Sequence, residues 1–123
     1  MNTPPFVLSP FEVKHLPLAV LRELKEHRGK QNAITGQGLS ALLGHKDDRK
    51  IRVAIRLLIA EGYPIASSVG GNMMGFYICD TEQEATAYIR TLRGRAEEDL
   101  ARLRDFEEAA AKQWAVPKQP SLF

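Results

Sequence analysis

Thiols are almost missing from this sequence. A single cysteine, Cys79, excludes an internal disulfide and any multi-cysteine metal site, and it suits a reducing compartment. Long apolar runs are missing too. No stretch approaches the roughly 18–20 residues that a membrane span requires. Residues 1–10 carry two adjacent prolines and no basic region ahead of an apolar run, unlike a signal peptide. Charge of one sign is scarce as well. Seventeen Lys and Arg against fifteen Asp and Glu leave a net charge of +2, so the chain is no polycation. Any attraction to nucleic acid must come from a local patch. The expectation is a soluble, cytoplasmic protein with no membrane partner.

Catalytic constellations are also lacking. His15, His27 and His45 fall on three separate predicted elements, with no spacing suited to a metal, and each reads as a surface residue. Cys79 follows an apolar strand and is expected to be buried and inert. Gly36-x-Gly38 lacks the remainder of a phosphate-loop pattern and reads as helix-cap chemistry. The acidic pairs lie on an exposed helix with no partner suited to acid–base work, and Trp114 reads as a packing anchor. No enzyme activity, metal or cofactor is expected.

What is present is one domain's worth of chain, 123 residues with an ordinary 44% hydrophobic content. Residues 1–16 hold Pro4, Pro5 and Pro10 among apolar residues, which predicts an extended arm packed on the body. Pro17 suits a first helical turn, and Leu18, Leu21 and Leu24 form a stripe running to about His27 before Gly29. Thr35 is a plausible N-cap for a short helix over 36–43, ended by Gly44. Asp47 or Asp48 caps a second helix, about 48–61, that Gly62 terminates. Two short helices about a glycine-containing turn predict a helix-turn-helix. Strands are expected over 63–68 and 73–78, joined by a turn at 69–72. Thr81 and Glu84 form a capping box that opens a helix running to about Trp114.

The second helix carries the chemistry. Ile51, Ile55 and Leu58 share one face, and Arg49, Arg52 and Arg56 share another at spacings of three and four. Lys46 and Lys50 lie close by. In a helix-turn-helix such an element enters the major groove, where arginine contacts phosphate or guanine. Ser67, Ser68 and Asn72 at the hairpin are further candidates for phosphate contact, although its tip has no Lys or Arg. The plainer alternative is a solvated basic face.

Residues 33–79 resemble the winged-helix domains of the biotin-repressor type. The likeness rests on Ile34-Thr35-Gly36-x-x-Leu39 with Leu42-Leu43-Gly44, the basic helix, Glu61-Gly62-Tyr63-Pro64-Ile65 and Gly71-x-x-x-Gly75-Phe76-Tyr77-Ile78. It implies an α+β fold, a winged helix-turn-helix of three helices plus a two-stranded wing, here with a long additional C-terminal helix. It also implies sequence-reading binding of double-stranded DNA through the second helix. The turn from Gly44 to Asp48 departs from that family's small-residue, serine-rich turn. Nothing similar to its ligase domain follows, so biotin chemistry is not implied.

The tail, 115–123, holds two prolines and is expected to be flexible. Its last five residues, Gln119-Pro120-Ser121-Leu122-Phe123, resemble the bacterial sliding-clamp-binding pentapeptide, although that pattern most often has Leu where Pro120 stands. Leu122 and Phe123 would fill an apolar cleft of the clamp's β subunit, Gln119 would hydrogen-bond at its edge, and Ser121 completes the pattern. Together these features look like small replication accessory proteins of phages and prophages. The long helix carries Ala85, Ile89, Leu92, Ala96, Leu100, Leu103, Phe106 and Ala110 in one stripe close to a heptad pattern. It is expected to form a homodimer seam or, alternatively, to pack on its own first helix and arm. A rival from another class also stands: a protein-interaction module or transcriptional regulator that binds a replication or transcription partner.

Overall fold

The computed structural model of the chain describes residues 8–68 and 74–114. The described residues form an α+β structure of four α-helices and a two-stranded antiparallel hairpin, with a long helix last. Two compact units divide the chain, Met1–Thr86 and Ala87–Phe123, so the division falls inside the last helix rather than ahead of it.

The first helix, α1, spans Pro10–Leu24 and corrects the expectation of an extended arm through residue 16. Ser9 caps it. The Ser9 hydroxyl accepts from the Glu12 N–H at 3.1 Å, and the Glu12 carboxylate accepts from the Ser9 N–H at 2.9 Å. That reciprocal capping box satisfies two donors at a helix start, and Pro10 occupies the position where a missing N–H costs nothing. Pro17, expected to open the helix, lies within it and is buried. The earlier start also resets the apolar face. Leu16, Val20, Leu21 and Leu24 are buried, whereas Leu18 is 59% exposed.

Helix α2, Gly36–Leu42, begins where Thr35 predicts: its hydroxyl accepts from the Gly38 N–H at 2.9 Å. Ser40, fully enclosed, donates to the Gly36 carbonyl at 2.8 Å, which satisfies its hydroxyl in the core. Gly44 then turns the chain at φ +77°, a left-handed conformation that favours glycine. Helix α3, Arg49–Ala60, follows. Asp47, not Asp48, caps it through the side chain, accepting from the Arg49 N–H at 3.0 Å. Gly62 closes it at φ +111°.

The hairpin pairs β1, Ile65–Ser68, with β2, Gly75–Ile78, in the register Ile65 to Ile78 and Ser68 to Gly75. Both strands are shorter than the sequence predicts. Pro64 has no N–H to give a ladder, so pairing starts at Ile65. The far edge of β2 is not bare. Ile34 and Phe76 exchange backbone hydrogen bonds of 2.9 and 2.7 Å, and Gly29 donates to the Ile78 carbonyl at 2.8 Å. Covering an edge this way satisfies main-chain groups that would otherwise need water.

One core joins these elements. Leu16, Val20, Leu21 and Leu24 of α1 meet Leu39 of α2, Ile51, Ala54, Ile55 and Leu58 of α3, and Ile65 and Ile78 of the hairpin. Leu24 and Leu58 have essentially no exposed surface, so truncating either to alanine would cost about 2–5 kcal/mol.

The last helix, α4, spans Glu82–Trp114. Thr81 accepts from the Glu84 N–H at 3.1 Å, the expected half of the cap. The other half differs. Glu84 turns its carboxylate to the Asp80 N–H at 2.7 Å and the Lys30 N–H at 2.8 Å, instead of to Thr81. Those backbone donors hold its pKa below the ordinary carboxylate value. They also tie the first turn of α4 to the 3-10 turn Lys30–Asn32, so this turn belongs with the preceding unit. Trp114, expected as a packing anchor, is 74% exposed at the end of α4. No helix among the described residues is long and apolar enough to cross a membrane.

Candidate nucleic-acid interface

At 3.6 residues per turn, successive side chains on α3 step about 100° around the axis. The core takes Ile51, Ala54, Ile55 and Leu58, leaving Arg49, Arg52 and Arg56 together on an exposed strip turned away from it. Lys46 is exposed in the turn just ahead.

Arg52 is the most constrained of the three. Its Nε donates to Asp48 Oδ2 at 2.9 Å, one helical turn back. Its guanidinium carbon stands 5.4 Å from the centre of the Phe76 ring, a cation–π distance. The side chain nevertheless stays 60% exposed. A guanidinium held at one end by a carboxylate and underlain by a ring has fewer rotamers to lose on meeting a ligand. Arg56 sits one turn further along, exposed, with no ion-pair partner among the described residues. Arg49 is exposed at the helix start.

Phe76 is the contributor that the sequence reading missed. It lies half-buried on β2, packed against the core and under Arg52. Ser67 stands directly across the ladder from it. Residues paired across an antiparallel ladder share a face, so Arg52, Phe76 and Ser67 bring α3 and the hairpin to one surface. Alternation along Gly75-Phe76-Tyr77-Ile78 separates Phe76 from the buried Tyr77, but nothing in the sequence shows α3 lying beside it.

Lys50 does not join this surface. One step around from Arg49, it reaches α1, where Nζ meets Glu12 Oε2 at 2.7 Å. That contact, followed by the Ser9 backbone N–H, lowers the Glu12 pKa from its ordinary 4.5 to about 2. Lys50 is therefore a strut between two helices. Ser67 and Ser68 are half-buried on β1. Asn72 and the turn at 69–72 lie outside the described residues, as do the tail residues Gln119, Ser121, Leu122 and Phe123.

Other candidates resolve into structural parts. His15 is exposed and stacks on Phe11, with ring centres 4.1 Å apart. His27, expected at the surface, is half-buried between the Asn32 carbonyl at 2.7 Å from Nδ1 and Glu23 at 3.4 Å from Nε2. It braces the turn after α1. His45 is half-buried in the turn ahead of α3. Cys79 is half-buried rather than buried, and burial, followed by the nearby Glu84 charge, raises its thiol pKa. Such a thiol is a poor nucleophile at neutral pH. Among the described residues, no group of three His, Cys, Asp or Glu is placed to hold a metal ion.

No protein-family model, curated protein or solved structure matches this chain.

Proposed function

We propose that the protein is a non-enzymatic, winged-helix binder of double-stranded DNA, similar in plan to the biotin-repressor type. In this reading α3 enters the major groove and the hairpin lies along the backbone. One observation carries it: Arg49, Arg52 and Arg56 line the exposed side of a helix whose opposite side is sealed in the core. Such a strip offers phosphate contacts from all three and bidentate base contacts from whichever reaches the groove floor. Arg52 supplies a preorganised guanidinium, and Lys46 extends the positive strip at one end. Fluorescence anisotropy with a labelled duplex tests this. Arg56→Ala should weaken binding by about tenfold, in keeping with the roughly 1–3 kcal/mol of a good arginine contact. Equal affinity of variant and parent would overturn the role of the strip.

The tail adds a second proposed contact. Gln119, Ser121, Leu122 and Phe123 would dock the β subunit of a bacterial sliding clamp, tethering the DNA reader to replication. Its support is the pentapeptide pattern itself, since two adjacent apolar side chains behind two prolines suit docking into a cleft. A pull-down with purified clamp, with and without residues 119–123, decides it: retention by the truncated chain removes the tail's role.

One observation favours a different class. Phe11, 70% exposed, and Leu18 lie on the outer side of α1, and an apolar patch of that kind suits a protein partner. Under that reading Phe11→Ser abolishes a protein contact and leaves duplex affinity unchanged.

A further inference from the structure

The apolar stripe on α4 has a finer period than a heptad. Between Ile89 and Trp114, apolar residues recur at intervals of eleven: Ile89, Leu100 and Ala111 form one row, and Leu92, Leu103 and Trp114 another. Ala96 continues the pattern in steps of three, four and four, and Glu107 alone interrupts it. Eleven residues over three turns is 3.67 per turn, close to a straight helix, so the stripe runs almost along the axis over about 39 Å. Ile89, Leu92, Leu100, Leu103 and Trp114 are all exposed. Water-facing leucines in a row of this length call for a partner.

The charges beside the stripe identify it. One flank carries Arg93, Glu97, Arg104 and Glu108, all exposed. Arg93 and Glu108 are equidistant from the midpoint between Leu100 and Ala101, and so are Glu97 and Arg104. Each positive charge therefore has a negative counterpart reflected through one point. That is the pattern a twofold axis demands of a self-complementary surface. In an antiparallel pair each flank faces its own copy, so Arg93 meets the partner's Glu108 and Glu97 meets the partner's Arg104. A parallel pair would set this flank against the other one, where Tyr88, Arg95, Asp99, Phe106 and Ala110 offer one cation and one carboxylate rather than four matching charges. The same antiparallel register sets Leu100 beside the partner's Leu100 at the centre and places Leu103 midway between the partner's Ala96 and Leu100, the offset by which side chains interdigitate along a seam.

We propose that α4 pairs antiparallel with α4 of a second copy of this chain, centred between Leu100 and Ala101. The pairing is independent of duplex binding by α3, so its failure would leave that reading standing. Sedimentation of the full chain across a concentration series tests it. The parent chain sediments as a dimer. Leu100→Glu puts two like charges at the centre and gives a monomer. Arg93→Glu and Glu108→Arg each weaken the dimer by about tenfold, a modest effect because the contacts are at the rim. The double variant Arg93→Glu/Glu108→Arg restores it to within about twofold, because the swapped charges face each other again. Those surface changes keep the test open should Leu100→Glu fail to fold. A monomeric parent overturns the pairing. A dimer whose double variant is weaker than either single variant overturns the antiparallel register.

Discussion

Nζ of Lys50 lies 2.7 Å from Oε2 of Glu12, joining α3 to α1 across the back of the candidate interface. The same carboxylate caps α1 through its other oxygen, which accepts from the Ser9 N–H. One side chain thus secures both a helix start and a helix–helix contact. The predicted consequence separates two neighbouring cations on one helix. Lys50→Met should lower the thermal midpoint and leave duplex affinity within about twofold, because it removes a strut and no phosphate contact. Arg56→Ala should do the reverse. Melting curves and duplex titrations of the two variants check the pair.

Acid should loosen the same contact. The folded chain holds the Glu12 carboxyl at about 2 against an ordinary 4.5, and Glu84 is lowered as well. The unfolded chain therefore takes up these protons first as pH falls. The stability they contribute is present in full above about 4.5 and is lost progressively as pH drops toward about 2. The thermal midpoint should fall across that window, and Glu12→Gln should flatten the fall while lowering the plateau above it. Added salt should shrink the difference, since Glu12 is solvent-accessible and its pairing is screened.

Two glycines should respond differently to alanine. Gly75 opens β2 at φ +128°, and a Cβ there would run into the Ile34 carbonyl and stand 2.7 Å from the Thr35 nitrogen. Those atoms belong to backbone that Phe76 holds by hydrogen bonds. Gly75→Ala should cost about 3 kcal/mol or more, from strain and clash together. Gly44, at φ +77°, has nothing within 4 Å of a Cβ position, so Gly44→Ala should cost only about 1–2 kcal/mol of backbone strain. Urea unfolding of both variants measures the contrast.

The parts of this fold that local chemistry dictates were readable in the sequence. Thr35 caps α2, Gly44 and Gly62 end their segments, and Ile51, Ile55 and Leu58 face inward because their spacing allows nothing else in a helix. Helix α1 was hidden by its prolines. Ser9 and Glu12 stand three apart, the spacing of a capping box, but Pro10 and Pro17 outweigh that signal when propensity alone is considered. The misplaced arm and the exposed Leu18 follow from that one omission. The Lys50–Glu12 contact lacks a local signature for a different reason. Proximity in sequence groups Lys50 with Arg49 and Arg52, whereas a single residue step swings it toward α1, and only the docking of α1 supplies Glu12 there. Phe76 under Arg52 is likewise a tertiary contact with no local signature.

The salt dependence of duplex affinity tests the central claim most directly. For the parent chain, the logarithm of the association constant should fall linearly with the logarithm of salt concentration, with a slope of about 0.9 per phosphate neutralised. Replacing Arg49, Arg52 and Arg56 with alanine together should weaken binding and make that slope shallower by about two to three, with the fold verified by circular dichroism. A triple variant with the parent's affinity and slope, or a parent chain with no duplex affinity even at low salt, would contradict it.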